Sequence, residues 1–193
     1  MNGTGTRQNP FPGPKAESGK REVTGKSCDV GAWGAQQPTR EDRMVGTILK
    51  GMNRIRWHEL THSYGSAHDV PGRLSRVAWG DARTSADALS DLGLWLGELA
   101  VFDATVAAVP FLWDLATADS VSSRAGVIEL LQAILEHDNP PQIEVQFAAH
   151  RAVSGGRDTV GKLATGSDPA VRAAARALGA AIDSHTCEAC RPA

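Results

Sequence analysis

Cysteine is scarce in this sequence: only Cys28, Cys187 and Cys190 occur, an odd number that cannot pair completely within one chain. That argues against a disulfide scaffold. Net charge is scarce too, with 20 Lys and Arg against 22 Asp and Glu, a formal charge of -2. No global basic field is therefore available to draw the chain to nucleic acid or to an anionic membrane. A long unbroken apolar run is also missing. The longest candidate, from Leu92 to Leu115, is interrupted by Glu98, Asp103 and Asp114 and contains Pro110, so no membrane span is expected. The opening MNGTGTRQNPFPGP carries no apolar segment after a basic start. A secretory signal is not expected, and the cytoplasm is the expected compartment.

The 193 residues suit one domain with a tail. Residues 1–43 are rich in Gly, Pro, Gln, Thr and charge, with Phe11, Val23, Val30 and Trp33 as their large apolar groups. So little apolar surface cannot offset the entropy of ordering, and this segment is expected to be a disordered tail. Met44, at the change of character, is a candidate alternative start. An ordered domain is expected over residues 44–186 and a short C-terminal tail over residues 187–193.

Within the ordered part the apolar spacing is helical. Trp57, Leu60 and Tyr64 fall on one face of a short helix that Gly65 would end. A second helix follows Asp69, with Pro71 in its first turn and Leu74, Val77 and Ala78 on one face. Ala88, Leu89, Leu92, Leu96 and Leu99 mark a third. Asp103 is placed to cap a fourth, which carries Val106, Val109, Phe111, Leu112 and Leu115 and should kink at Pro110. Val127 to Leu135, Val145 to Val153, and Val160 to Leu163 give three more. Asp168 as N-cap with Pro169 behind it opens the last, with Val171, Ala175, Leu178 and Ile182 on one face. No stretch alternates long enough to require a strand, so about eight short helices paired in order are expected.

The segment KLATGSDPAVRAAARALGAAI, Lys162 to Ile182, resembles the signature of HEAT repeats: a leucine-bearing helix, a loop ending in Asp-Pro, then Val-Arg and an alanine-rich helix. WHELTHSYGSAHDVPGRL and VFDATVAAVPFLWDL further resemble the opening of HEAT-like proteins of high-GC actinobacteria, some of which lie in toxin-immunity settings. The resemblance implies an all-α fold, a short α-solenoid of HEAT-like antiparallel helix pairs. Its functional implication is a non-catalytic adaptor or immunity-like protein that binds another protein, with a toxin among the candidates, and needs no cofactor. Neither nucleic acid nor membrane is expected as a partner.

A different string offers an enzyme. His58, Glu59, His62, Gly65 and His68 are similar to the metzincin pattern HExxHxxGxxH at every specified position. The resemblance implies zinc held by His58, His62 and His68, with Glu59 as the base that takes a proton from the zinc-bound water. Metzincins also need a methionine turn downstream, yet the methionines here are Met1, Met44 and Met52. Nor is there room ahead of the string for a substrate-holding sheet. The zinc peptidase therefore stands as the alternative, and a zinc-stabilised binding module without turnover as a third reading. On the preferred reading Trp57, Leu60 and Tyr64 pack inward while His58 and Glu59 face solvent.

The remaining candidates are weaker. Cys187 and Cys190 have metal-ligand or redox spacing with His185 beside them, but a zinc ribbon needs a second such pair, so a frayed tail is expected. His137 and His150 lack partner spacing and read as surface or satisfied core histidines. Trp57, Trp95 and Trp113 read as core, while Trp79 before Gly80 is a candidate partner anchor. No nucleophile elbow, Walker loop or Rossmann glycine pattern occurs, and Ser154-Gly155-Gly156 reads as a helix stop.

Overall fold

Helical apolar spacing accounts for the seven α-helices of the computed structural model, which describes residues 48–190. The chain divides into two units, Met1–Gln37 and Pro38–Ala193, and all seven helices belong to the second. The expected tail over residues 1–43, with Cys28 and the alternative start at Met44, lies outside the described residues, as do the last three residues.

The helices are α1 (Val70–Trp79), α2 (Ala82–Leu96), α3 (Asp103–Thr117), α4 (Arg124–Glu136), α5 (Ile143–Ser154), α6 (Arg157–Leu163) and α7 (Pro169–Ser184). Their starts follow from local chemistry. Pro71 sits in the first turn of α1, where its missing N–H costs nothing. Asp81 caps α2 by accepting from the Thr84 N–H at 2.8 Å, and Asp168 caps α7 by accepting from Ala170 and Val171 at 2.9 and 3.2 Å. Pro110 lies exposed within α3, which runs unbroken through it.

Packing follows two series. Helices α1, α3 and α5 meet in turn on one side, and α2, α4 and α7 meet in turn on the other. Within pairs, α1 packs on α2 and α3 on α4, while short α6 leads into α7. The fully buried Leu74, Leu92, Leu112, Ile128, Leu131, Ile134 and Leu178 fill the space between the series. Each deleted core leucine in such a setting costs about 2–5 kcal/mol. Two polar core groups are satisfied: Thr105 Oγ1 donates to the Leu96 carbonyl at 3.1 Å, and the Ser85 hydroxyl meets that of Ser123 at 2.6 Å. No helix among the described residues is long and apolar enough to cross a membrane.

Three expectations change. The segment at residues 57–69 is not a helix but two 3₁₀ turns, Trp57–Glu59 and Ala67–Asp69, flanking an antiparallel hairpin of β1 (Thr61–His62) and β2 (Gly65–Ser66). Its loop is Ser63-Tyr64, and Gly65 has φ 125°, a left-handed conformation that glycine adopts without strain. Alternation in β1 turns His62 inward, and the loop leaves Tyr64 63% exposed rather than packed. Second, Phe102 occupies the cap position of α3, making Asp103 its first residue. The Asp103 Oδ1 instead accepts from the Thr61 N–H at 2.7 Å and the Thr61 hydroxyl at 3.1 Å, tying the hairpin to α3. Third, α2 ends at Leu96, so Leu99 lies outside it and exposed. There Gly97 lets the chain approach α4, since a Cβ would sit 2.9 Å from Leu130 Cδ1.

Candidate metal centre

The residues of the protease-like string are held apart. His58 and Glu59 both reach solvent, and Glu59 pairs with Arg56 Nη1 at 2.8 Å. His68 is exposed and pairs with Asp69 at 3.2 Å. His62 is buried, lying flat on the Trp95 indole, and its Nδ1 accepts the Tyr64 N–H at 3.1 Å. Burial is the main influence on this imidazole and lowers its pKa. A zinc helix would present His58 and His62 one turn apart on a single face. The hairpin separates them, and the three histidines form no ligand group among the described residues.

Four other side chains do converge. His150, His185, Cys187 and Cys190 each place one ligand atom within 4.8 Å of the other three. Each position has a local cause. His150 lies on the buried face of α5 beside Gln146, Ala149 and Val153, and is itself fully buried. Its Nε2 faces the His137 carbonyl at 3.1 Å. With Nε2 as donor, Nδ1 keeps its lone pair and faces Cys187 Sγ at 3.4 Å and Cys190 Sγ at 3.7 Å. His185 is the C-cap residue of α7, and its Nε2 lies 3.2 Å from Cys187 Sγ. The two imidazoles meet edge to face with centroids 4.7 Å apart.

The support beneath His150 is polar and complete. Gln146, one turn earlier on α5, accepts from the Asn139 N–H at 2.8 Å and donates to Asp138 Oδ1 at 2.6 Å. Asn139 Nδ2 donates to the Val101 carbonyl at 2.7 Å. The connection between α4 and α5 is thereby clamped to the helix that carries His150. Burial also lowers the pKa of this histidine. Burial, reinforced by the neighbouring Cys187, pushes the Cys190 thiol up to about 11. Such a thiol is a poor nucleophile at neutral pH and becomes a thiolate when a cation sits against it.

Cys187 and Cys190, expected in a frayed tail, are thus part-buried against α5, while His150 is the satisfied core histidine expected, its Nε2 facing the His137 carbonyl. The available signal was the string His185-Thr-Cys187-Glu-Ala-Cys190, which lacked one ligand. The fourth side chain of the cluster, His150, lies far upstream on α5, and nothing in its own neighbourhood announces it. Elsewhere Trp57 is buried, tilts against Phe111 and donates from Nε1 to the Met52 carbonyl at 2.9 Å. Trp79 is 51% exposed at the end of α1.

No family model, curated protein or solved structure matches the chain.

Proposed function

We propose that the helical unit is a short α-solenoid of HEAT-like pairs acting as a non-catalytic protein-binding module in the cytoplasm. The two packing series, α1–α3–α5 and α2–α4–α7, support the solenoid reading because successive helices stack on one another in both layers. The observation that carries the binding role is a set of exposed large apolar side chains near the hairpin seam. Ser63 bonds the Trp95 carbonyl through both its N–H, at 3.3 Å, and its hydroxyl, at 3.2 Å. Tyr64 and Leu94 flank that seam, Leu99 lies four residues beyond Trp95, and all three side chains are exposed. Exposed large apolar side chains of this kind are what a protein partner covers. Near-neutral charge favours a protein over a nucleic acid. The resemblance to immunity-type proteins makes a toxin the partner to try first.

The non-catalytic reading is supported by the separation of His58, His62 and His68, which leaves Glu59 beside Arg56 rather than beside a metal-bound water. Co-expression with the products of adjoining genes tests the module directly. A stable complex is expected, weakened at least about tenfold by Tyr64→Ser with Leu99→Ser, the size of a modest hot spot. Zinc-dependent cleavage of a peptide library that disappeared with Glu59→Gln would replace this reading with the peptidase.

A further inference from the structure

Two sulfurs and two imidazole nitrogens gathered this closely form a donor set with little use except to hold a metal. Around a tetrahedral zinc, with Zn–N near 2.0 Å and Zn–S near 2.3 Å, ligand atoms stand roughly 3.3–3.8 Å apart along every edge. Three of the six edges are 3.2, 3.4 and 3.7 Å, and all four atoms lie within 4.8 Å of one another. We propose that His150 Nδ1, His185 Nε2, Cys187 Sγ and Cys190 Sγ form a closed tetrahedral Zn(II) site that fastens the C-terminal segment to α5.

The ligand chemistry selects the ion. Thiolate sulfur disfavours magnesium and calcium, and a two-sulfur, two-nitrogen tetrahedron is the geometry of structural zinc. Two thiolates also neutralise the dication, so a half-buried site carries no net charge. The His137 carbonyl supplies the outer contact that fixes the tautomer of His150 and the orientation of its ring. Four protein ligands leave no open position for water, which makes the site structural rather than hydrolytic.

Its place in the fold supplies a reason for a staple. Helices α5 and α7 both pack on α4, whereas the principal contacts of α7 are with α4 and α6 and not with α5. They form the last layer of the stack, with no following layer among the described residues to hold them together. Terminal repeats need a cap of some kind. A zinc ion bridging His150 of α5 to the three ligands just after α7 joins two helices whose principal contacts lie elsewhere.

The full chain, purified under reducing conditions without a metal-affinity step, is to be assayed for zinc and titrated with cobalt. About one zinc per chain is expected, with cobalt giving a thiolate charge-transfer band and tetrahedral d–d absorption. His58→Ala with His68→Ala is expected to keep both signals, and Cys187→Ser with Cys190→Ser to lose both. Zinc retained by the double serine variant, zinc lost by the double alanine variant, or iron as the bound metal would overturn the proposal. If the serine variant fails to fold, as read by circular dichroism, cobalt titration of the wild-type chain decides alone. No thiolate band there sinks the site. The site is independent of the partner-binding reading, because neither readout involves a partner.

Discussion

The imidazole of His62 lies parallel to the indole of Trp95, with ring centroids 4.8 Å apart and planes within 4°. The Arg73 guanidinium lies 5.1 Å from the centre of the same indole and donates to Asp91 at 2.6 Å. The hairpin is thereby seated on α1 and α2 through one aromatic ring. Because burial lowers the His62 pKa below its ordinary 6.5, the fold prefers the neutral imidazole. Its contribution is present above the unfolded-state pKa and is lost as pH falls through about 6.5 toward the lower folded value. The thermal midpoint should therefore drop between pH 7.5 and pH 5. His62→Phe, which keeps a ring against Trp95 but cannot be protonated, should show a shallower drop. Equal slopes for the two proteins in a circular dichroism melt series would remove His62 from the acid response.

Two glycines should respond in opposite directions to alanine. At Gly156 a Cβ would stand 2.2 Å from a ring carbon of Trp113, so the indole must shift or the α5–α6 turn must open. Gly156→Ala is expected to destabilise by about 1–3 kcal/mol, as overpacking does. Gly161, inside α6, has nothing within 4 Å of the same position. Gly161→Ala should stabilise by about 0.5–1 kcal/mol through helix propensity alone. Urea melts of the two variants check both signs.

The helices were legible because burial repeats at helical spacing: Leu74, Val77 and Ala78 in α1, or Val127, Leu130, Leu131 and Ile134 in α4, need one face only. The hairpin was not. Trp57, Leu60 and Tyr64 have helical spacing by chance, and what selects a strand pair is contact with Trp95 and Asp103, far along the chain. The metal centre was half legible. Cys187 and Cys190 have ligand spacing on their own, but pairing them with His150 requires the packing of α5 and α7 on α4, which no local pattern encodes.

Asp168 tests how far α7 depends on its cap. Its carboxylate satisfies two otherwise unpaired N–H groups at the first turn, and Pro169 presets the backbone of that turn. Asp168→Ala should cost about 1 kcal/mol, and Asp168→Asn or Asp168→Ser much less, since a cap needs an acceptor rather than a charge. Denaturant midpoints of the three variants would separate capping from charge. Equal losses in all three would show that the charge itself matters.

Metal removal should act on the same helix from its other end. If zinc joins His150 to the segment after α7, the ion binds the folded chain and not the unfolded one, and stabilises it by mass action. At free zinc 100 times the dissociation constant the gain is about 2.7 kcal/mol. A strong chelator should lower the thermal midpoint of the wild-type chain, and restoring zinc should recover it. The Cys187→Ser, Cys190→Ser variant should melt near the chelated value and ignore both treatments. Acid should mimic the chelator, because protons displace the metal from thiolate and imidazole alike. Amide exchange would localise the effect: α5 and α7 should lose protection on chelation while α1 and α2 keep theirs. A loss spread evenly over all seven helices would mean that the ion supports the whole fold, whereas no change at α7 would exclude the staple.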